Sequence, residues 1–187
     1  ASVGSSAFFN CSGATSLTLS TNLACTVLDH FAFLGCVNAS NNLVLPSNLA
    51  QVNVQSFARC NKLLCSQLNG AGAGAALLPA NFKKIGFGAF ESCSSLTGAL
   101  NLNNLVVNGA YVSSVNFIGS MAFFGCHGLN GALSLPINAA YVNVMPYTFA
   151  SMAAPFAVSP VSAAPNATAM QLQGSLNLRS DDVAPEY

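Results

Sequence analysis

Apolar residues recur along this chain in a fixed frame that is longer than any single strand or helix. Val3-Gly-Ser-Ser-Ala7-Phe8-Phe-Asn-Cys11, Ile85-Gly-Phe-Gly-Ala89-Phe90-Glu-Ser-Cys93 and Ile118-Gly-Ser-Met-Ala122-Phe123-Phe-Gly-Cys126 share one pattern. Each reads aliphatic, then Ala-Phe four and five residues on, then Cys at the eighth. Leu28…Ala32-Phe33…Cys36 and Val52…Ser56-Phe57…Cys60 fit the same frame, and Val144…Thr148-Phe149…Met152 is a sixth copy with Met in the Cys position. Self-similarity of this kind marks a repeat architecture rather than a single packed layer.

The register extends on both sides. Three residues before each aliphatic stands another apolar position: Cys25, Leu49, Phe82, Val115 and Tyr141. After each Cys an alternating segment follows, as in Leu17-Thr-Leu19, Leu43-Val-Leu45, Leu100-Asn-Leu102, Leu133-Ser-Leu135 and Leu176-Asn-Leu178. Alternation predicts a half-buried strand there. The Ala-Phe-x-x-Cys stretch predicts a turn, either one helical turn or a 3₁₀ piece. Such a coil cannot bury its own apolar face, so equivalent residues must stack into ladders along a solenoid. The expected core ladders are Phe8, Phe33, Phe57, Phe90, Phe123 and Phe149, and beside them Cys11, Cys36, Cys60, Cys93, Cys126 and Met152. Coils should climb about 4.8 Å each, the spacing of paired strands.

The frame resembles the BspA-like family of leucine-rich repeats, with its I-G-x-x-A-F-x-x-C and L-x-I-P signatures. Pro79-Ala-Asn-Phe82-Lys-Lys-Ile85-Gly86-Phe-Gly-Ala89-Phe90-Glu-Ser-Cys93 carries the likeness most fully, and it spans most of residues 1–152, returning at 170–178. The resemblance implies a leucine-rich-repeat-like stack of about six to seven coils, with short parallel strands and turns or short helices. It also implies a cell-surface or secreted setting, with roles in adhesion and binding. One solenoid is expected over residues 1–178, followed by a tail at 179–187. The distance between ladder cysteines runs from 24 residues (Cys36 to Cys60) to 33 (Cys60 to Cys93). That variation places insertions near 64–75, 103–111 and 153–169, the last an Ala/Pro/Ser-rich strap.

Charge then narrows the function classes. Charged residues are 5% of the 187, five basic against five acidic, while 52% are hydrophobic. So few cations cannot neutralise a run of phosphates or hold an anionic membrane surface, so no nucleic-acid partner is expected. Gly, Asn, Ser and Pro interrupt every apolar run before it reaches membrane-spanning length, so no membrane span is expected. A neutral chain has little to keep copies apart, which points towards assembly.

Chemistry is thin. The seven cysteines fall mostly on the ladders and read as buried thiols packing as small hydrophobes. Met152 in the same ladder supports this, and only Cys65 is off-register, leaving a Cys60–Cys65 or Cys25–Cys65 bridge open. No Cys-x₂-Cys pair or suitably spaced His suggests a metal site. His30 beside Asp29 and His127 beside Cys126 fall in variable turn positions, and Gly70-Ala-Gly72-Ala-Gly74 lacks the Lys of a phosphate loop. No catalytic residue and no cofactor are expected. Glycosylation sequons stand at Asn10-Cys-Ser12, Asn38-Ala-Ser40 and Asn166-Ala-Thr168, and in a eukaryotic source Asn166 and then Asn38 are the favoured acceptors.

The ends complete the reading. The chain opens at Ala1 without a Met, as a processed or trimmed product would, and its first repeat begins at Val3. It closes on the strand segment Leu176-Asn-Leu178. A half-coil and a strand are complementary edges, and head-to-tail contacts between such edges generate filaments. The expectation is an extracellular structural subunit whose partner is itself, polymerising end to end through Val3, Leu176 and Leu178, in part by strand addition. The runner-up is a cell-surface adhesion module for a protein or glycan, and a third reading is a solenoid piece of a larger protein.

Overall fold

A computed structural model of the chain describes residues 1–20, 24–69, 78–102, 117–134, 143–144 and 147–149. Met152, Asn166, Leu176, Leu178, the insertions at 103–111 and 153–169 and the 179–187 tail lie outside the described residues. Of the insertion near 64–75, residues 64–69 are described and contain the short helix α1, Ser66–Asn69.

Six two-residue strands pair in parallel into one sheet that runs along the solenoid. They are β1 (Ser2–Val3), β2 (Val27–Leu28), β3 (Gln51–Val52), β4 (Lys84–Ile85), β6 (Phe117–Ile118) and β8 (Asn143–Val144). In register, Val3, Leu28, Val52, Ile85, Ile118 and Val144 align, the aliphatic position of all six repeats. The remaining strands, β5 (Gly98–Asn101) and β7 (Leu129–Ser134), form a second, two-stranded parallel sheet.

The placement of strands corrects the sequence reading. The continuous sheet lies at the aliphatic position, and among the described residues the Leu-x-Leu arc is a strand only in the coils of Leu100 and Leu133. In the earlier coils, side-chain amides share the inter-coil pairing with an isolated parallel bridge between Asn42 and Leu64. Asn41 accepts from Leu17 N with Oδ1 and donates Nδ2 to Leu17 O, both at 2.7 Å. Asn42 Oδ1 accepts from Ser66 N (2.8 Å), and Gln67 likewise brackets both backbone groups of Leu45. An amide offers one donor and one acceptor, as a peptide unit does, so it replaces a neighbouring backbone.

The Ala-Phe-x-x-Cys stretch is a run of turns, and the helical alternative does not form. Within a coil every second N–H closes a tight turn, as Phe9 N does on Ser6 O (3.1 Å) and Cys11 N on Phe8 O (3.3 Å). The intervening N–H groups reach the next coil: Ser6 N to His30 O, Phe8 N to Ala32 O and Asn10 N to Leu34 O, at 2.7 to 2.9 Å. This alternation needs left-handed residues at two sites per coil, among them Ser6 (φ 56°), Phe31 (φ 59°), Gln55 (φ 47°) and Met121 (φ 57°). A right-handed helix contains no such residues.

Inside, the ladders stack as expected. The six Phe rings lie face to face, centroids 5.1 to 5.9 Å apart and within 14° of parallel. Ala32, Ala89 and Ala122 are fully buried beside them. Ser56 and Thr148 replace Ala in that position without an unmet hydroxyl, because Ser56 Oγ reaches Asp29 O (2.8 Å) and Thr148 Oγ1 reaches Gly119 O (3.0 Å). Coil backbones approach closely at Gly128 and Gly119, where a Cβ would stand 2.3 Å from Leu96 O and 2.4 Å from Phe87 N. Cys25, Leu49 and Phe82 form the preceding buried ladder; Val115 and Tyr141 are outside the described residues. Phe8 and Cys11 depart from the expectation of burial. Phe8 stacks on Phe33, yet it is 46% exposed and Cys11 is half-buried, because within this chain coil 1 has a neighbour on one side only.

Candidate functional site

All seven cysteines are free, so neither bridge left open by the sequence forms. Four ladder thiols have a polar duty as well as a packing one. Each donates to the carbonyl of the Phe one coil back: Cys36 to Phe8 O (3.3 Å), Cys60 to Phe33 O (3.2 Å), Cys93 to Phe57 O (3.1 Å) and Cys126 to Phe90 O (3.0 Å). Burial pushes the thiols of Cys60 and Cys126 up to about 12 and that of Cys65 up to about 11, and raises those of Cys36 and Cys93. A nucleophilic cysteine needs a depressed pKa, and these have the reverse.

Few other groups come together. Among the described residues no three His, Cys, Asp or Glu side chains gather as a metal site would require. His30 Nε2 lies 3.4 Å from Asp29 Oδ1, with both side chains open to solvent. The His30 backbone N–H (2.8 Å) and then Asn53 Nδ2 (3.2 Å) hold the Asp29 carboxyl below its usual range. His127 is exposed, as expected of a turn residue. Asn10 and Asn38 are both exposed. Asn38 bridges coils, donating Nδ2 to Ser12 O (2.9 Å) and accepting from Lys62 Nζ (3.0 Å) with Oδ1.

Apolar exposure is what distinguishes the surface. The exposed large hydrophobic residues among those described are Phe8, Phe9, Val44, Leu64 and Tyr147. Phe8 and Phe9 share the outer side of coil 1, next to the edge strand β1 that contains Val3. There the carbonyls of Ser5, Ala7 and Phe9 receive no hydrogen bond from a described residue. A second set lies on the outward side of the turns, where Phe31, Leu34, Phe87 and Phe124 are partly exposed. The sequence reading centred on the inward ladders and missed this set. The available signal was the run of Phe at the non-ladder positions of the turn.

The described residues include no helix long and apolar enough to cross a membrane. No curated protein matches the chain. Among solved structures, a leucine-rich repeat protein of T. pallidum is similar at 24% identity and a TM-score of 0.55, over 73% of this chain and 52% of that one. A leucine-rich repeat protein from Bacteroides ovatus is similar at 16% identity and a TM-score of 0.37, over 85% of this chain and 46% of that one. This chain therefore spans about half the length of those proteins. The model of the BspA type leucine-rich repeat region matches residues 1–130 with six copies. With the same frame governing its sheet, its turns and its ladders, the chain belongs to the BspA-type leucine-rich repeat family.

Proposed function

We propose that this solenoid is a structural, non-enzymatic interaction module of the cell surface or extracellular space, and that it self-associates into a filament or surface layer. The observation that carries this reading is the row of partly exposed Phe31, Leu34, Phe87 and Phe124 along the outward side of the turns. Neutral net charge removes the repulsion that would oppose such contact. The surface setting is supported by the family resemblance and by the exposed sequons at Asn10 and Asn38.

The test is sedimentation velocity over a hundredfold concentration range, followed by negative-stain microscopy. Mass is expected to grow with concentration and to fall back in a Phe87→Ser/Phe124→Ser variant. A species of 19.1 kDa at every concentration would refute self-association. The same outward Phe residues would then serve the second reading, an adhesion or recognition module for a protein or glycan.

A further inference from the structure

The outward side of the turns in coils 2 to 5, those of Phe33, Phe57, Phe90 and Phe123, is a grid whose register is fixed by main-chain bonds. At the start of the turn Phe31 N meets Val54 O, Gln55 N meets Phe87 O and Gly88 N meets Ser120 O. At its end Gly35 N, Arg59 N and Ser92 N meet Ala58 O, Glu91 O and Phe124 O in the same way. Equivalent outward residues of successive coils therefore stand in columns. The Gln55 side chain spans two columns, donating Nε2 to Glu91 Oε2 (2.9 Å), and a Cβ on Gly88 would stand 3.0 Å from both side chains.

The chemistry of this grid matches itself when its ends are exchanged. The outer coils hold Leu34 (coil 2) and Phe124 (coil 5), both partly exposed and in one column. The inner coils hold Val54 (coil 3) and Phe87 (coil 4), again partly exposed and in one column. They also hold the opposite charges, Arg59 in coil 3 and Glu91 in coil 4, while the Asp29–His30 pair lies at the margin of coil 2. Turning a second copy end over end, about an axis between coils 3 and 4, lays coil 2 on coil 5 and coil 3 on coil 4. Leu34 then meets Phe124, Val54 meets Phe87, and Arg59 of each chain comes beside Glu91 of the other. A second copy running parallel and in register mirrors the columns instead. It lays Arg59 on Val54 and Phe87 on Ser92, and it covers Glu91 with no opposite charge from the other chain. Burying a charge without a partner is costly, and complementary charge fixes the register of a contact.

Resting on the self-association reading, we propose that the outward turn face of coils 2 to 5 docks on the same face of a second copy of this chain running antiparallel. A contact between identical patches closes on two copies. The pair is then the unit that a filament or layer repeats, and growth beyond it uses another surface.

Charge exchange and disulfide trapping in the full chain test this pairing. In sedimentation velocity, Arg59→Glu is expected to weaken the dimer about tenfold by setting carboxylates against each other. Arg59→Glu/Glu91→Arg is expected to restore it, with thermal melts of both variants close to the parent's. A double variant that stays as weak as the single one would overturn the pairing of these charges. A disulfide needs Cα atoms about 4.4–6.8 Å apart, so trapping reads orientation directly. His30 and Ser120 share a column in coils 2 and 5, and Cys11→Ala removes the half-buried native thiol. In that background a mixture of His30→Cys and Ser120→Cys chains is expected to give a covalent dimer under mild copper-phenanthroline oxidation, and either chain alone to give none. Cross-linking of the His30→Cys chain with itself would overturn the orientation while leaving self-association intact. Dimer mass without cross-linking in any sample would place the contact on another face and overturn the proposal. Absence of any species above the monomer would remove the reading on which it rests.

Discussion

The two arcs of each coil solve one problem differently. The turn arc repeats the same backbone bonds from coil 1 to coil 5, whatever stands at its outward positions. The Leu-x-Leu arc changes its means from coil to coil, using Asn41 and Gln67 side chains early and the strands β5 and β7 later. The turn arc tolerates outward variation because its register is set by inward Ala, Phe and Cys and by main-chain bonds. The other arc borders the insertions, so the spacing of its backbones varies and side chains of the right reach fill in.

Truncation in the turn arc should break this comparison most severely. Phe57→Ala removes a fully buried ring between two others, and a loss of about 3–5 kcal/mol is expected in urea unfolding. Phe8→Ala, with one stacked neighbour and half its surface already wet, should cost clearly less. Equal losses would mean that the ladder does not set the turn arc.

Alkali should act next, chiefly through the turn arc, where four of the buried thiols with raised pKa stand, with Cys65 outside it. The buried thiols titrate above their ordinary value of 9, so the unfolded chain loses these protons first. Their contribution is whole below pH 9 and disappears as pH rises towards about 12. Thermal melts are expected to hold steady up to pH 9 and fall above it, with Cys11 the most accessible thiol to Ellman's reagent in the native protein at pH 8. Rapid reaction of several thiols before unfolding would contradict the burial of the ladder.

The smallest effect sharpens the other arc. Asn41→Ala leaves both backbone groups of Leu17 without their amide partner, at about 1–2 kcal/mol. Asn41→Gln, which misplaces the amide by one methylene, should not restore it. If both variants matched the parent, the early coils would not depend on amide pairing.

These differences track what the chain made legible. The Phe and Cys ladders could be read because an inward position recurs with one residue type. The strand position was misassigned because Leu17-Thr-Leu19 alternates as a strand does, while its actual partner is the Asn41 side chain, 24 residues away. The left-handed sites were hidden for a related reason. Gly35, Gly88 and Gly125 occupy them in some coils, but Phe31, Gln55 and Tyr147 stand at the equivalent places and give no sign of a positive φ. The single direction of the inter-coil bonds along the turns was invisible, since hydrogen-bond direction belongs to the backbone and not to side-chain type.

The stack of Phe rings also sets how the molecule comes apart. A coil gains stability from its neighbours alone, so the array behaves as a line of coupled units. Coil 1, anchored through a single interface at Phe33, is the link with the least coupling. Amide exchange should therefore be fastest at Phe8 and Asn10 and slower by orders of magnitude at Phe57 and Phe90, a gradient of opening that runs inward like a zipper.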